Sequence, residues 1–130
     1  MSGTLVLDCE GLSKLIQRTR ELTEWLAAAE TEDIRVVTSS VTLVEARDPK
    51  IHQARFDYVL SRVNIVAPSE AIARQASKLL AQRGLHGHKY ALDAIVATTA
   101  LASPAPVTVL TSDVDDLLML CGSTARVIKI

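Results

Sequence analysis

The chain has 130 residues, 48% hydrophobic and 22% charged, with five glycines and four prolines, a composition typical of one folded domain that excludes a disordered chain. Its 14 Lys and Arg against 15 Asp and Glu give a formal net charge of −1, which excludes nucleic-acid binding by bulk positive charge. Aromatic residues make up 3% of the chain, so base recognition on a platform of several aromatic rings is excluded as well.

Helix-like and strand-like segments alternate along the first half of the chain. Residues 4–8 form a short apolar run that ends in an acid, which predicts a buried strand. The predicted elements that follow are helices at 12–16 and 22–29, a strand at 35–38, a short helix at 41–46 capped by Ser39 or Ser40, a helix at 54–62 and a strand at 64–66.

The second half continues the alternation. Ser69 and Gly84 flank an apolar helical stripe, so we expect a helix between them. The remaining predicted elements are a loop at 85–89, a helix at 90–102, a strand at 107–111, a helix at 113–120 and a strand at 126–130. This order predicts a single α/β domain over residues 1–130 with a mainly parallel sheet.

Location can be inferred from what the sequence lacks. It contains no run of about 18 uncharged apolar residues, so we expect no membrane-spanning helix. Its first residues are not expected to form a secretory signal, because they lack a basic segment and soon reach Asp8. Cys9 and Cys121 have no C-x-x-C or Cys/His partners. Neither a disulfide framework nor a zinc site is expected, and the cytoplasm is the expected location.

Four acids stand where a site would form. Asp8 ends the first predicted strand and Asp113 follows the strand at 107–111, at the sheet edge where parallel α/β proteins bind ligands. Glu45 and Asp93 lie in apolar helical sequence, where an acid needs a partner. Gathered together, these acids would require a cation, and oxygen ligands favour Mg²⁺ or Mn²⁺. Taken singly, each acid fits a structural role equally well, as a helix cap or an ion-pair partner.

Four short motifs in this order resemble the PIN-domain family, and more narrowly the VapC-type ribonuclease toxins. They are LVLD at 5–8, S-x-x-x-x-E from Ser40 to Glu45, LDAIVA at 92–97 and LTSDVDDL at 110–117. The resemblance covers nearly the whole chain. It implies a three-layer α/β/α sandwich, flavodoxin-like, with a central and mainly parallel sheet.

The resemblance also implies a metal-dependent endoribonuclease with an acidic pocket for Mg²⁺ or Mn²⁺. The residues that match the family's catalytic acids are Asp8, Glu45, Asp93 and Asp113, those expected to bind the metal are Asp8, Asp93, Asp113 and Asp116, and the matching hydroxyls are Ser40 and Thr111. Glu45 fits either a metal ligand or the base that orients the attacking water. Similar proteins form homodimers and are inhibited by a small VapB-like antitoxin.

One departure from the family pattern leaves an alternative function open. After the first Asp, family members usually carry a small residue and then Asn or Ser, whereas this chain has Cys9 and Glu10. The extra carboxylate either adds a ligand near the metal or weakens the grip on a phosphate. The alternative is a degenerate PIN domain that binds RNA or a protein without cutting.

Charge is unevenly distributed along the chain. Residues 34–111 hold nine Lys and Arg against five Asp and Glu, and the remainder holds five against ten. If several acids belong to a metal site, the rest of the middle segment is basic enough to contact RNA phosphates. The residues expected to do so are Lys50, Arg55, Arg83 and Lys89. An ordinary solvated surface explains these charges equally well.

Overall fold

The computed structural model describes residues 3–130 of the chain. Its five strands are β1 (Thr4–Leu7), β2 (Arg35–Ser39), β3 (Asn64–Val66), β4 (Val107–Thr111) and β5 (Arg126–Lys129). They form one parallel sheet in the order β3-β2-β1-β4-β5. The helices of this part of the chain are α1 (Cys9–Ile16), α2 (Arg20–Thr31), α3 (Ser40–Ala46), α4 (Gln53–Ser61), α5 (Glu70–Arg83), α6 (Gly87–Leu101) and α7 (Val114–Cys121). None of these seven is long and apolar enough to cross a membrane.

The two faces of the sheet pack against different helices. Along β1 the side chains alternate, so Leu5 and Leu7 point into a cluster built with α1 to α4. Val6 points the other way, into a cluster built with α5, α6 and α7. Both faces of the sheet are therefore covered, which is the usual condition of a parallel sheet. The expected three-layer α/β/α sandwich is confirmed.

Helix α5 begins and ends at its expected caps. The Ser69 side chain accepts from the backbone N–H of Ile72, and Gly84 closes the helix in the left-handed region at φ 67°. The predicted loop at 85–89 is wrong in its second half, because α6 already begins at Gly87. The backbone N–H groups of Lys89 and Tyr90 donate to the His86 carbonyl at 3.2 and 3.1 Å. The helix thus starts about one turn earlier than its apolar pattern.

The sheet has a point where the direction of strand progression reverses. From β1 the chain moves outward through β2 to β3, and then returns to place β4 on the other side of β1. Strands β1 and β4 are direct neighbours, with Leu7 paired to Leu110. In open α/β sheets, ligands bind outside the carboxyl ends of the strands at such a reversal. Asp8 and Asp113 follow these two strands.

Candidate metal centre

Asp8 is fixed by hydrogen bonds to both of its carboxylate oxygens. Only 4% of the residue is exposed. Oδ1 accepts from the backbone N–H of Gly11 at 2.8 Å, which caps the start of α1. Oδ2 accepts from the hydroxyl of Thr111 on the neighbouring strand. Burial raises the pKa of Asp8, and these two hydrogen bonds oppose that rise.

Thr111 connects the ends of β1 and β4. Its hydroxyl donates to Asp8, and the same oxygen accepts from the backbone N–H of Asp113 at 2.9 Å. Thr111 is completely buried, so water does not compete for these bonds. One hydroxyl therefore sets the positions of two candidate site acids relative to each other.

Three carboxylates meet beside this pair. One oxygen each from Asp93 of α6, Asp113 and Asp116 of α7 lies within 4.8 Å of the other two. Asp113 and Asp116 are three residues apart at the start of α7, which places them on one side of that helix. Mg²⁺ binds oxygen at about 2.1 Å, so opposite ligands around it lie about 4.2 Å apart. The oxygens present fit a small divalent cation after slight adjustment.

The acids also act on one another electrostatically. Burial raises the pKa of Asp93 to about 6, assisted by the negative charges of Asp113, Asp116, Asp8 and Glu45, in that order. Four carboxyl groups, from the starts of α1 and α7 and from α3, thus act on Asp93 of α6. Such a concentration of negative charge is costly without a cation. Its chemistry matches the oxygen-only ligand set that Mg²⁺ and Mn²⁺ prefer.

Lys89 stands next to these acids. The pKa of Asp116 is raised, first by a carboxyl–carboxyl hydrogen bond with Asp113, and Lys89 opposes this rise. Lys89 precedes Asp93 by one helical turn on α6, so the two side chains lie on the same side of that helix. A cation beside a cluster of acids is well placed to meet a phosphate that approaches them.

The other three basic residues singled out from the sequence have different surroundings. Lys50 is exposed in the segment between α3 and α4. Arg55 is half-buried on α4, and its Nε has no hydrogen-bond partner within residues 3–130. The Nε of Arg83 donates to the Met119 carbonyl at 3.0 Å, which ties the end of α5 to α7. Arg83 therefore has a structural contact that its sequence position did not predict.

Cys9 and Glu10, where the sequence departs from the family pattern, both border the acids. Burial raises the pKa of the Cys9 thiol to about 12, helped by the charges of Asp8 and Glu45. The thiol is therefore protonated at neutral pH in the metal-free protein. Glu10 is exposed in the first turn of α1, and its charge contributes to the raised pKa of Asp8.

Helix α3 carries Glu45 on an exposed position. The helix is capped by Ser39, whose hydroxyl accepts from the Val41 N–H at 3.4 Å, and Ser40 is its first residue. The cap therefore falls on Ser39 of the two serines considered. Sequence reasoning missed Thr38 and Thr42, which are buried between β1, β2 and α3. The sequence signal that could have indicated Thr42 is its position on the predicted helix, one turn before Glu45.

Comparisons with known proteins agree with this arrangement. The family model of the PIN domain matches residues 5–117. A VapBC2 complex from Rickettsia felis bound to a fragment of its promoter DNA has a similar fold, with a TM-score of 0.73, 19% identity and 98% of each chain covered. A toxin–antitoxin complex from Klebsiella pneumoniae has a TM-score of 0.68 and 24% identity, with 97% of this chain and 99% of that chain covered. A FitAB complex bound to an IR36 DNA fragment has a TM-score of 0.69 and 20% identity, with 96% of this chain and 94% of that chain covered. No curated protein sequence matches the chain.

Proposed function

This chain belongs to the PIN-domain family, and from that premise we propose that it is an endoribonuclease that hydrolyses RNA phosphodiester bonds with Mg²⁺ or Mn²⁺. The observation that carries the proposal is the meeting of Asp93, Asp113 and Asp116 within 4.8 Å. It lies at the reversal of the sheet, where α/β proteins bind ligands. Oxygen ligands at this spacing suit a hard cation, and phosphate oxygens complete such a coordination sphere.

Each residue of the site has a separate task in this mechanism. A bound Mg²⁺ or Mn²⁺ would polarise a phosphoryl oxygen and lower the pKa of an attacking water. Asp93, Asp113 and Asp116 would hold the ion, and Asp8 would contribute to its binding, directly or through water, with the lone pairs left free by Gly11 and Thr111. Glu45 either adds a ligand or accepts the proton of the attacking water. Thr111 supports Asp8 and Asp113 at the ends of β1 and β4, and Ser40, the first residue of α3, retains the supporting role that the family resemblance implies.

The first test is cleavage by the purified chain. We expect it to cut single-stranded RNA in the presence of Mg²⁺ or Mn²⁺, and to lose this activity completely with EDTA. Gel electrophoresis of end-labelled RNA measures the products. The alternative function, a degenerate domain that binds without cutting, is favoured by the extra charge of Glu10. RNA binding without turnover at any metal concentration would support that alternative and refute the proposal.

Lys89 provides a prediction about RNA binding. Lys89→Ala is expected to weaken RNA binding by about tenfold and to lower the slope of log affinity against log salt by about 0.7, the value for one phosphate contact on a single strand. Titration of labelled RNA at several salt concentrations measures both quantities. Lys78→Ala is the matched control, because Lys78 is an exposed lysine of α5. Equal losses in the two variants would contradict a specific role for Lys89.

The biological context we propose is a type II toxin in the cytoplasm, acting as a homodimer and inhibited by a small VapB-like antitoxin. Two kinds of support exist: membership of the PIN-domain family and similarity in fold to chains described as belonging to toxin–antitoxin complexes. A short DNA-binding protein encoded immediately upstream of this chain would support the toxin. Its absence would favour a nuclease that acts without a partner.

A further inference from the structure

A pair of buried threonine hydroxyls joins the end of β1 to the start of α3. Thr38 of β2 and Thr42 of α3 are 0% and 1% exposed, and their Oγ1 atoms lie 2.6 Å apart. The Thr38 hydroxyl is also 2.8 Å from the Leu7 carbonyl oxygen. The Thr42 hydroxyl is 2.7 Å from the Ser39 carbonyl oxygen. The pair therefore links three elements in a place that excludes water.

Counting protons restricts the pair to two arrangements. Two hydroxyls supply two protons, which cannot fill three contacts at once, and the 2.6 Å separation of the two Oγ1 atoms is a hydrogen-bond distance that requires one of these protons between them. Either Thr42 donates to Thr38 and Thr38 donates to Leu7, or Thr38 donates to Thr42 and Thr42 donates to Ser39. The bond between Thr38 and Thr42 is present in both arrangements. The connection between β2 and α3 is therefore kept whichever way the protons point.

The threonine pair lies between two of the site acids. Leu7 directly precedes Asp8, and Thr42 precedes Glu45 by three residues on the same side of α3. Glu45 is exposed, so its direction depends on where α3 is placed. With seven residues, α3 is too short to be stable without tertiary contacts. The Thr38–Thr42 bond is such a contact, and it lies in the helix turn that precedes Glu45.

We propose that Thr42, held by Thr38, is a positioning residue that fixes Glu45 relative to Asp8 and Asp93. The expected effect on RNA cleavage rests on the proposed function, and the expected effect on Mn²⁺ affinity rests on the proposed metal site. Thr42 touches neither substrate nor metal. Its effect passes through α3 to the Glu45 carboxylate.

The test compares Thr42→Val, Thr42→Ser, Glu45→Gln and the double variant Thr42→Val/Glu45→Gln. Mn²⁺ affinity is measured by calorimetry, and kcat and KM are measured for RNA cleavage. We expect Thr42→Val to lower kcat by about tenfold and Mn²⁺ affinity by about threefold, with KM nearly unchanged, because a misplaced group costs rate more than substrate binding. Thr42→Ser keeps the hydroxyl and is expected to restore both values. The double variant is expected to be no worse than Glu45→Gln, because residues acting through one group are not additive.

Two further variants separate this role from a general loss of stability. Thr99→Val is the matched control, because Thr99 is 2% exposed and its hydroxyl donates within α6 to the Ile95 carbonyl at 2.8 Å. It is expected to keep full kcat and Mn²⁺ affinity. Thr38→Val removes the same bond from the β2 side and is expected to lower kcat and Mn²⁺ affinity as much as Thr42→Val does. It therefore tests the positioning role of Thr42 if Thr42→Val does not fold.

The outcomes distinguish the inference from the proposed function. Unchanged kcat and Mn²⁺ affinity in Thr42→Val, or a further loss on top of Glu45→Gln, would overturn the inference. A wild-type chain that binds Mn²⁺ but cuts no RNA would refute the proposed function and leave the Mn²⁺ comparison to decide the inference. A wild-type chain that binds no Mn²⁺ would refute both.

Discussion

Asp93→Asn is expected to abolish metal-dependent RNA cleavage while raising the melting temperature of the metal-free protein at neutral pH. The loss of activity follows from the position of Asp93, which shares a 4.8 Å cluster with Asp113 and Asp116. An amide there binds a divalent cation more weakly than a carboxylate and adds no charge. Several kcal/mol of transition-state stabilisation are lost with the ion, which corresponds to a reduction of the cleavage rate by about 10³-fold or more.

The gain in stability follows from the pKa of Asp93. Burial and the neighbouring acids raise it to about 6 from an ordinary value of 3.8. Between these two pH values the folded state holds a proton that the unfolded state releases, so wild-type stability falls as pH rises through this window. Above pH 6 the charged Asp93 side chain lowers the free energy of unfolding by its full amount, and below pH 3.8 this destabilisation is absent. Because Asp93 is half-buried, solvent screening reduces the cost to about 1 kcal/mol.

Thermal melts at several pH values, with and without Mg²⁺, measure this effect. The variant is expected to melt higher than wild type at pH 7.5 and equally at pH 3.5, and Mg²⁺ is expected to stabilise the wild type alone. Asp57→Asn is the control, since Asp57 is exposed on α4 and its oxygen accepts from Gln53, as an asparagine oxygen also can. Metal-dependent cleavage that survives Asp93→Asn would disprove the assignment of the metal centre.

Sequence patterns located the strands well because the sheet is buried on both faces. The short apolar runs at β1 and β4 have few other interpretations, and the acids that follow them mark the carboxyl edge of a parallel sheet. Helix α5 was bounded correctly because Ser69 and Gly84 are local signals whose effect does not depend on the rest of the fold. These features are determined by residues close together in the chain, so a single sequence is sufficient to predict them.

Features that depend on contacts between distant segments were not predictable. The bond from Thr111 to Asp8 requires the register of β1 with β4. The bond from Thr38 to the Leu7 carbonyl requires β2 to lie beside β1. The start of α6 was placed too late, since Gly87 and the two histidines around it are typical of a loop. For the two hydrogen bonds, the sequence supplies the hydroxyl group, and the tertiary fold determines its partner.

Gly11→Val is the structural change with the largest expected effect. Gly11 is buried in the first turn of α1, where the helix crosses the ends of β1 and β4. A Cβ atom at this position would lie 3.2 Å from the Leu110 carbonyl oxygen and 3.3 Å from the Cβ of Leu7. Both neighbours belong to the central sheet and cannot move aside as a flexible side chain could. The two methyl groups of valine extend this crowding further into the packed core.

We expect Gly11→Val to destabilise the protein by about 2–3 kcal/mol, measured by urea unfolding. The same crowding lifts α1 from the sheet and displaces the N–H that binds Asp8 at 2.8 Å, so cleavage is expected to fall about 100-fold even in the folded fraction. Gly87→Val is the matched control. Gly87 also lies in the first turn of a helix, but the nearest atom to its added Cβ is the Cδ1 of Leu80 at 4.0 Å. If Gly11→Val and Gly87→Val destabilised the protein equally, the close packing of α1 against β1 and β4 would not be the cause, and its role in holding Asp8 in place would be refuted.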